Sequence, residues 1–269
     1  MIISHDVAGP AEGPAVLLLH SSVCDRRMWE PQWRPLADAG FRVVRADFRT
    51  CGQSPAGTRP YSDDGDVVDL MDALGLDRAA LVGSSYGGRV ALRVAALHPG
   101  RVTALALLCA GRPGQESGPE GEAFDEAEEA LLEAGDLDGA AALNARTWLG
   151  PEADDAVRAL VTRMQRENFA HWYTALEVGR DGTVRDPGEH ELPEPDVDLG
   201  AVTAPALAIG GAHDLADFRE TAAALPGLLP RARHVELPWA GHLPSLERPA
   251  ETTALLLGFL RAEHGRGDS

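Results

Sequence analysis

Three residues of this chain have the types and order needed for nucleophilic acyl transfer: Ser85, Asp214 and His242. A serine hydroxyl is a weak nucleophile at neutral pH. It needs a general base to take its proton, and the base needs a carboxylate to fix its tautomer. Ser85 is the centre of Gly83-Ser84-Ser85-Tyr86-Gly87, the Gly-x-Ser-x-Gly pattern of a serine held on a sharp strand-to-helix turn. The outer glycines meet a steric demand, because side chains two residues before and after the serine would clash across so tight a turn. Asp214 ends the loop Gly210-Gly211-Ala212-His213-Asp214, just after the apolar run Ala206 to Ile209. His242 ends Pro238-Trp239-Ala240-Gly241-His242, just after the run His234 to Leu237. Asp217 is a rival for the acid, with the capping of a following helix as its other reading. His213 sits beside the acid and reads as a loop residue, and His20 reads as a structural hydrogen-bonding residue.

These side chains need elements to hold them. Short apolar runs at Ala15 to Leu19, Arg42 to Ala46, Ala79 to Val82 and Val102 to Leu108 read as strands buried on both faces. Helical patterns lie between them, around Pro31 to Ala39, Asp63 to Leu74 and Gly87 to Leu97. The rhythm predicts a doubly wound α/β fold with a mostly parallel central sheet flanked by helices. Placing Ser85 at the start of the third helix also favours developing negative charge nearby, through the helix dipole and the free amides. From about residue 113 to 200 strand signals vanish. Helices are predicted at Glu122 to Glu133, Asp136 to Leu149 and Ala153 to Phe169, and a proline-rich acidic stretch leads back to the sheet. The expected organisation is a core of residues 1–112 and 201–269 with a helical lid, or cap, at 113–200. The chain closes on an amphipathic helix from Pro249 to about Glu263.

Composition narrows the function. The net charge is −18, and Gln115 to Gly200 holds 22 acidic and 6 basic residues against 20 and 18 elsewhere. Nucleic acid and anionic membranes are therefore poor partners, and neutral or cationic substrates are expected over polyanionic ones. All 24 basic residues are arginine, which excludes Schiff-base lysines, a P-loop lysine and a lysine base. Cys24, Cys51 and Cys109 make an odd count without metal-like spacing, as expected of reduced thiols in a cytoplasmic protein. No run of about 18 apolar residues suggests a membrane span, and no secretory signal is visible at Met1 to Asp6.

Taken together, these segments resemble the α/β-hydrolase superfamily over nearly the whole length. Gly241-His242-Leu243-Pro244-Ser245-Leu246-Glu247-Arg248-Pro249 is similar to that family's histidine motif. Arg45-Ala46-Asp47-Phe48-Arg49-Thr50-Cys51-Gly52-Gln53-Ser54 is similar to its Asp-x-Arg-Gly-x-Gly-x-Ser loop. The likeness is greatest to small esterases, enol-lactone hydrolases and cofactor-free haloperoxidase-like enzymes. It implies a Ser85–His242–Asp214 triad cleaving a small carboxylic ester or lactone, with no metal or organic cofactor. It also implies an oxyanion hole of two backbone amides. One is that of Tyr86. Leu19-His20-Ser21-Ser22 is similar to the family's His-Gly-x segment, which assigns the other amide to Ser22. Ser21 and Thr50 stand where the family usually has glycine. The hydroxyls of Ser21 and Ser22 are candidate substrate contacts, as are Trp148 and His171 in the lid. Aspartate at position 85 would have meant dehalogenase or epoxide hydrolase chemistry, whereas serine means acyl transfer. Cleavage of a C–C bond in a β-diketone-like substrate, and a binding protein on a hydrolase scaffold, are the rival readings. A homo-oligomer is compatible with all of them.

Overall fold

The computed structural model describes residues 2–178 and 184–267. Residues 179–183 of the expected lid, Met1 and the last two residues lie outside them. The strands of the sheet are β1 (His5–Ala8), β2 (Ala15–Leu19), β3 (Arg42–Ala46), β4 (Ala79–Ser84) and β5 (Val102–Leu108). A small antiparallel pair, β6 (Glu177–Val178) and β7 (Val184–Arg185), precedes the last two, β8 (Ala206–Gly211) and β9 (Ala232–Leu237). The sheet runs β1-β3-β2-β4-β5-β8-β9 and is parallel throughout except at β1, which pairs antiparallel with β3.

Alternating residues of each strand feed two separate cores, because successive side chains point to opposite faces. Leu17, Leu19, Leu81, Leu105 and Leu107 pack with Val67, Leu70 and Met71 of α2 (Asp63–Ala73) and with Val90, Ala91 and Val94 of α3 (Tyr86–Leu97). Val16, Leu18, Val82, Ala106 and Leu108 pack on the other face with Leu36 of α1 (Glu30–Asp38) and with Leu256, Phe259 and Leu260. Full burial on both faces explains why these strands read as continuous apolar runs.

Three helices intervene between β5 and β8: α4 (Pro119–Glu133), α5 (Leu137–Trp148) and α6 (Asp155–Ala175). Ala145, Trp148, Val161 and Met164 join the second core, so this segment packs as part of the molecule. Asn168 fastens α6 directly to the loops below, donating to Cys24 O at 2.8 Å and accepting from Gly52 N at 3.1 Å. The chain continues through α7 (Ala216–Leu228) and α8 (Pro244–Glu247) to α9 (Pro249–Gly267). No helix among the described residues is long and apolar enough to cross a membrane.

Candidate active site

Ser85 has φ 52° and ψ −115°, a conformation that L residues rarely adopt and that the surroundings must hold in place. Its amide donates to Leu108 O at 2.9 Å, and its carbonyl accepts from Gly88 N at 3.0 Å and Gly111 N at 3.1 Å. The flanking glycines have the steric function expected of them. A Cβ on Gly83 would stand 2.4 Å from Gly87 O, and one on Gly87 would stand 2.3 Å from Leu19 O. β4, the turn and α3 therefore close only with glycine at both positions.

The loops after β8 and β9 meet by the same device. A Cβ on Gly211 would lie 1.9 Å from Gly241 O, and one on Gly241 would lie 2.3 Å from Gly150 N. This approach brings His242 Nδ1 to 2.7 Å from Asp214 Oδ2, with both side chains almost fully buried. Asp214 Oδ1 accepts Leu215 N–H at 2.8 Å, so the carboxylate cannot swing away. Nδ1 is thus the protonated nitrogen and Nε2 is left as the basic one. The imidazole is wedged between Phe218 and Trp148, at 4.4 and 4.6 Å between ring centroids, and His242 N–H donates to Trp148 O at 2.8 Å. Glu247 holds the loop from below, accepting the amides of Gly150, Gly241 and Leu243. Burial raises its carboxyl above the usual range, and those three amides pull it back.

Ser85, His242, Ser22, Tyr86, Trp148 and Phe218 line one cavity of about 390 Å³. No hydrogen bond joins Ser85 to His242 among the described residues, as is common before substrate tightens a catalytic site. The amides of Ser22 and Tyr86 likewise have no protein acceptor among the described residues and remain available for an oxyanion. The Tyr86 side chain is pinned, its hydroxyl donating to Asp63 Oδ2 at 2.6 Å and its ring lying edge-on to Phe48. Burial pushes the Asp63 carboxyl up to about 6. His20 is fully buried. Its Nε2 accepts Phe48 N–H at 2.9 Å and its Nδ1 donates to Ser21 O at 2.8 Å, which makes it a brace of the loop carrying Ser22.

The remaining candidates separate clearly. Ser21 is fully buried, with its hydroxyl unpartnered, and Ser22 takes the place on the cavity wall. His171 is half-buried on α6 and is not among the cavity-lining residues. Asp217 lines the cavity, but it accepts Gly118 N–H at 2.6 Å and so anchors the approach to α4 instead of capping α7. His213 is exposed. Thr50 occupies a left-handed φ of 64°, which explains why glycine suits that position.

Sequence reasoning passed over several residues. Cys109, at φ 45°, donates its thiol to Gly241 O at 3.5 Å beside the Asp214–His242 pair. Burial and the Asp214 charge push that thiol well up, so it is a neutral spacer and not a nucleophile. Glu128, Asn144 and Gln165 line the cavity from α4, α5 and α6.

Known proteins fit this geometry. The family model for the alpha/beta hydrolase fold matches residues 14–249. A protein provisionally named carbamate hydrolase RutD, from Variovorax paradoxus (strain S110), is 34% identical across 97% of this chain and 96% of its own. The enol-lactonase from Burkholderia xenovorans LB400 superposes with a TM-score of 0.76 at 27% identity, over 96% of each chain. A thermophilic esterase from Thermogutta terrifontis superposes with a TM-score of 0.75 at 26% identity, over 97% of this chain and 94% of its own. The chain belongs to the α/β-hydrolase family of enzymes.

Proposed function

We propose that the chain is a cytoplasmic serine hydrolase of small carboxylic esters or lactones, with the helices from α4 to α6 as its lid. The observation that carries this is the buried His242–Asp214 hydrogen bond of 2.7 Å on the same cavity as the strained Ser85. His242 Nε2 takes the Ser85 proton as Oγ attacks the carbonyl carbon, and Asp214 stabilises the imidazolium that forms. The Tyr86 and Ser22 amides receive the oxyanion. Collapse expels the alkoxide, or opens the lactone ring, with His242 returning the proton. Water deprotonated by His242 then releases the acyl group from Ser85. The scheme uses no metal or organic cofactor.

A carbamate is the second reading, favoured by the relative that is 34% identical over almost the whole chain. The same steps apply to its carbonyl. A panel of acyl esters, lactones, aryl carbamates and a β-diketone, assayed with wild type and Ser85→Ala, decides among these substrates. Wild type is expected to turn over esters or lactones, and Ser85→Ala to lose at least about 10³-fold in kcat. Retained turnover in Ser85→Ala, or failure of a fluorophosphonate to label Ser85, would overturn the reading.

A further inference from the structure

The wall of the cavity opposite the sheet carries hydrogen-bond acceptors that have nothing to accept. Gln165 on α6 is 6% exposed, lines the cavity, and its Oε1 has no hydrogen-bond partner. A buried amide oxygen left unpaired costs on the order of 1–3 kcal/mol, so such an atom in a cavity wall points to a donor on a ligand. Glu128 on α4 is half-buried on the same wall, and burial raises its carboxyl. Its Oε1 accepts Asn144 Nδ2, while Oε2 takes no partner among the described residues. Asn144 is itself fixed, donating to Ala140 O at 3.0 Å and accepting Trp148 Nε1–H at 3.2 Å. Glu128 is therefore oriented by a chain of bonds that begins at the indole packed against His242.

Charge around the cavity points the same way. Glu116, Asp125 and Asp217 also line the cavity. The guanidinium among the lining residues, Arg89, is held by Glu194 through Nε at 2.9 Å. The cavity thus presents carboxylates and a bare amide oxygen at a volume of about 390 Å³, small even for a ligand site.

We propose that this wall is a subsite for a protonated primary amine on the substrate, with Glu128 neutralising the ammonium and Gln165 Oε1 accepting one of its N–H bonds. The substrate class is then an amino-substituted ester or lactone. The inference rests on the Ser85 hydrolase reading for the site of bond cleavage. An ammonium satisfies both acceptors. A quaternary ammonium has no N–H for Gln165, a hydroxyl brings no charge for Glu128, and a carboxylate is repelled.

Matched p-nitrophenyl esters of linear acyl chains ending in methyl, primary ammonium, trimethylammonium or carboxylate test this, with a second series carrying the same groups on the alcohol. In at least one series the primary ammonium ester is expected to exceed its methyl counterpart about tenfold in kcat/KM. The trimethylammonium ester should fall below the primary ammonium ester, and the carboxylate ester should be slowest. Glu128→Gln and Gln165→Leu should each cut the ammonium-to-methyl ratio severalfold. A ratio of one or less in both series, a preference for the carboxylate ester, or a ratio unchanged in both variants overturns the proposal. Calorimetric titration with hexylammonium against hexanol separates this from failure of the hydrolase reading. If Ser85→Ala keeps its turnover, the nucleophile assignment falls. Hexylammonium binding that weakens in both variants would still support the subsite, and binding no tighter than that of hexanol would still refute it.

Discussion

α3 and α4 both border the cavity, yet they are held by opposite means. α3 buries most of its length, from Gly87 through Val90 to Ala95, and backbone bonds tie its start to β5 and to the loop after β2. α4 buries none of its residues fully. Its position depends on side chains reaching across, as in Gly118 N–H to Asp217, Ala216 N–H to Glu120, and Asn144 to Glu128. In the first region even a methyl group collides with backbone. In the second, a side chain can change without moving the main chain that carries Ser85. Under the proposed reading, the carboxyl ends of the central strands fix the reaction class, and the helices above them are where substrate choice can vary.

The contrast can be broken most decisively at the acid. Asp214→Asn should keep the fold and lower kcat about 10⁴-fold, because the amide favours the wrong imidazole tautomer. A steady-state assay retaining a tenth of the activity would remove Asp214 from its role. Gly211→Ala is the next largest test, since its Cβ falls 1.9 Å from Gly241 O. A loss on the order of 3 kcal/mol in urea unfolding is expected, and a neutral result would deny that the two loops are locked by backbone approach. Asp63, beneath Tyr86, gives a pH-dependent test. Its carboxyl ordinarily titrates near 3.8 and rises to about 6 on burial, so the folded state holds the proton longer than the unfolded chain does. Its contribution to stability therefore falls as pH rises between about 4 and 6. Asp63→Asn should raise stability by roughly 3 kcal/mol above that window and leave it unchanged below. Equal thermal shifts at both ends would refute this. Glu129→Ala, exposed on α4, should change stability by less than about 0.5 kcal/mol and leave the ester kinetics untouched. A large effect there would erase the contrast.

The same contrast explains what could be read from the sequence. The elbow was legible because its glycines are enforced by collisions, Gly83 with Gly87 across the turn itself and Gly87 with Leu19 of the adjacent strand β2. Asp214 was legible because it follows β8, which is buried throughout and shows as an apolar run, whereas β9 is half-buried or exposed and His242 was legible from the Gly241-to-Pro249 motif that carries it. β1 was missed because a four-residue edge strand with Val7 exposed leaves almost no pattern. α7 was foreseen only as a helix following Asp217, without bounds, since it has no side-chain cap and carries Pro226 inside it. α6 runs six residues beyond the Phe169 expected, through half-exposed positions where periodicity fades. Ser21 and Ser22 could not be ranked, because one residue of difference in a loop decides which faces the cavity. Glu128 and Gln165 could not be found at all, because their meaning depends on donors that are missing in three dimensions.

The bond from His242 N–H to Trp148 O, with Glu247 clasping Gly150 and Gly241 together, has a consequence for recombination. The end of α5 belongs by sequence to the segment between β5 and β8 and by contact to His242, the proposed base. A chimera that exchanges everything between β5 and β8 would discard the carbonyl, the indole and the glycine that seat the imidazole. Trp148, Leu149 and Gly150 must therefore be inherited with the core. If the lid sets substrate choice as proposed, the exchangeable unit ends at α5's penultimate turn and restarts at α6.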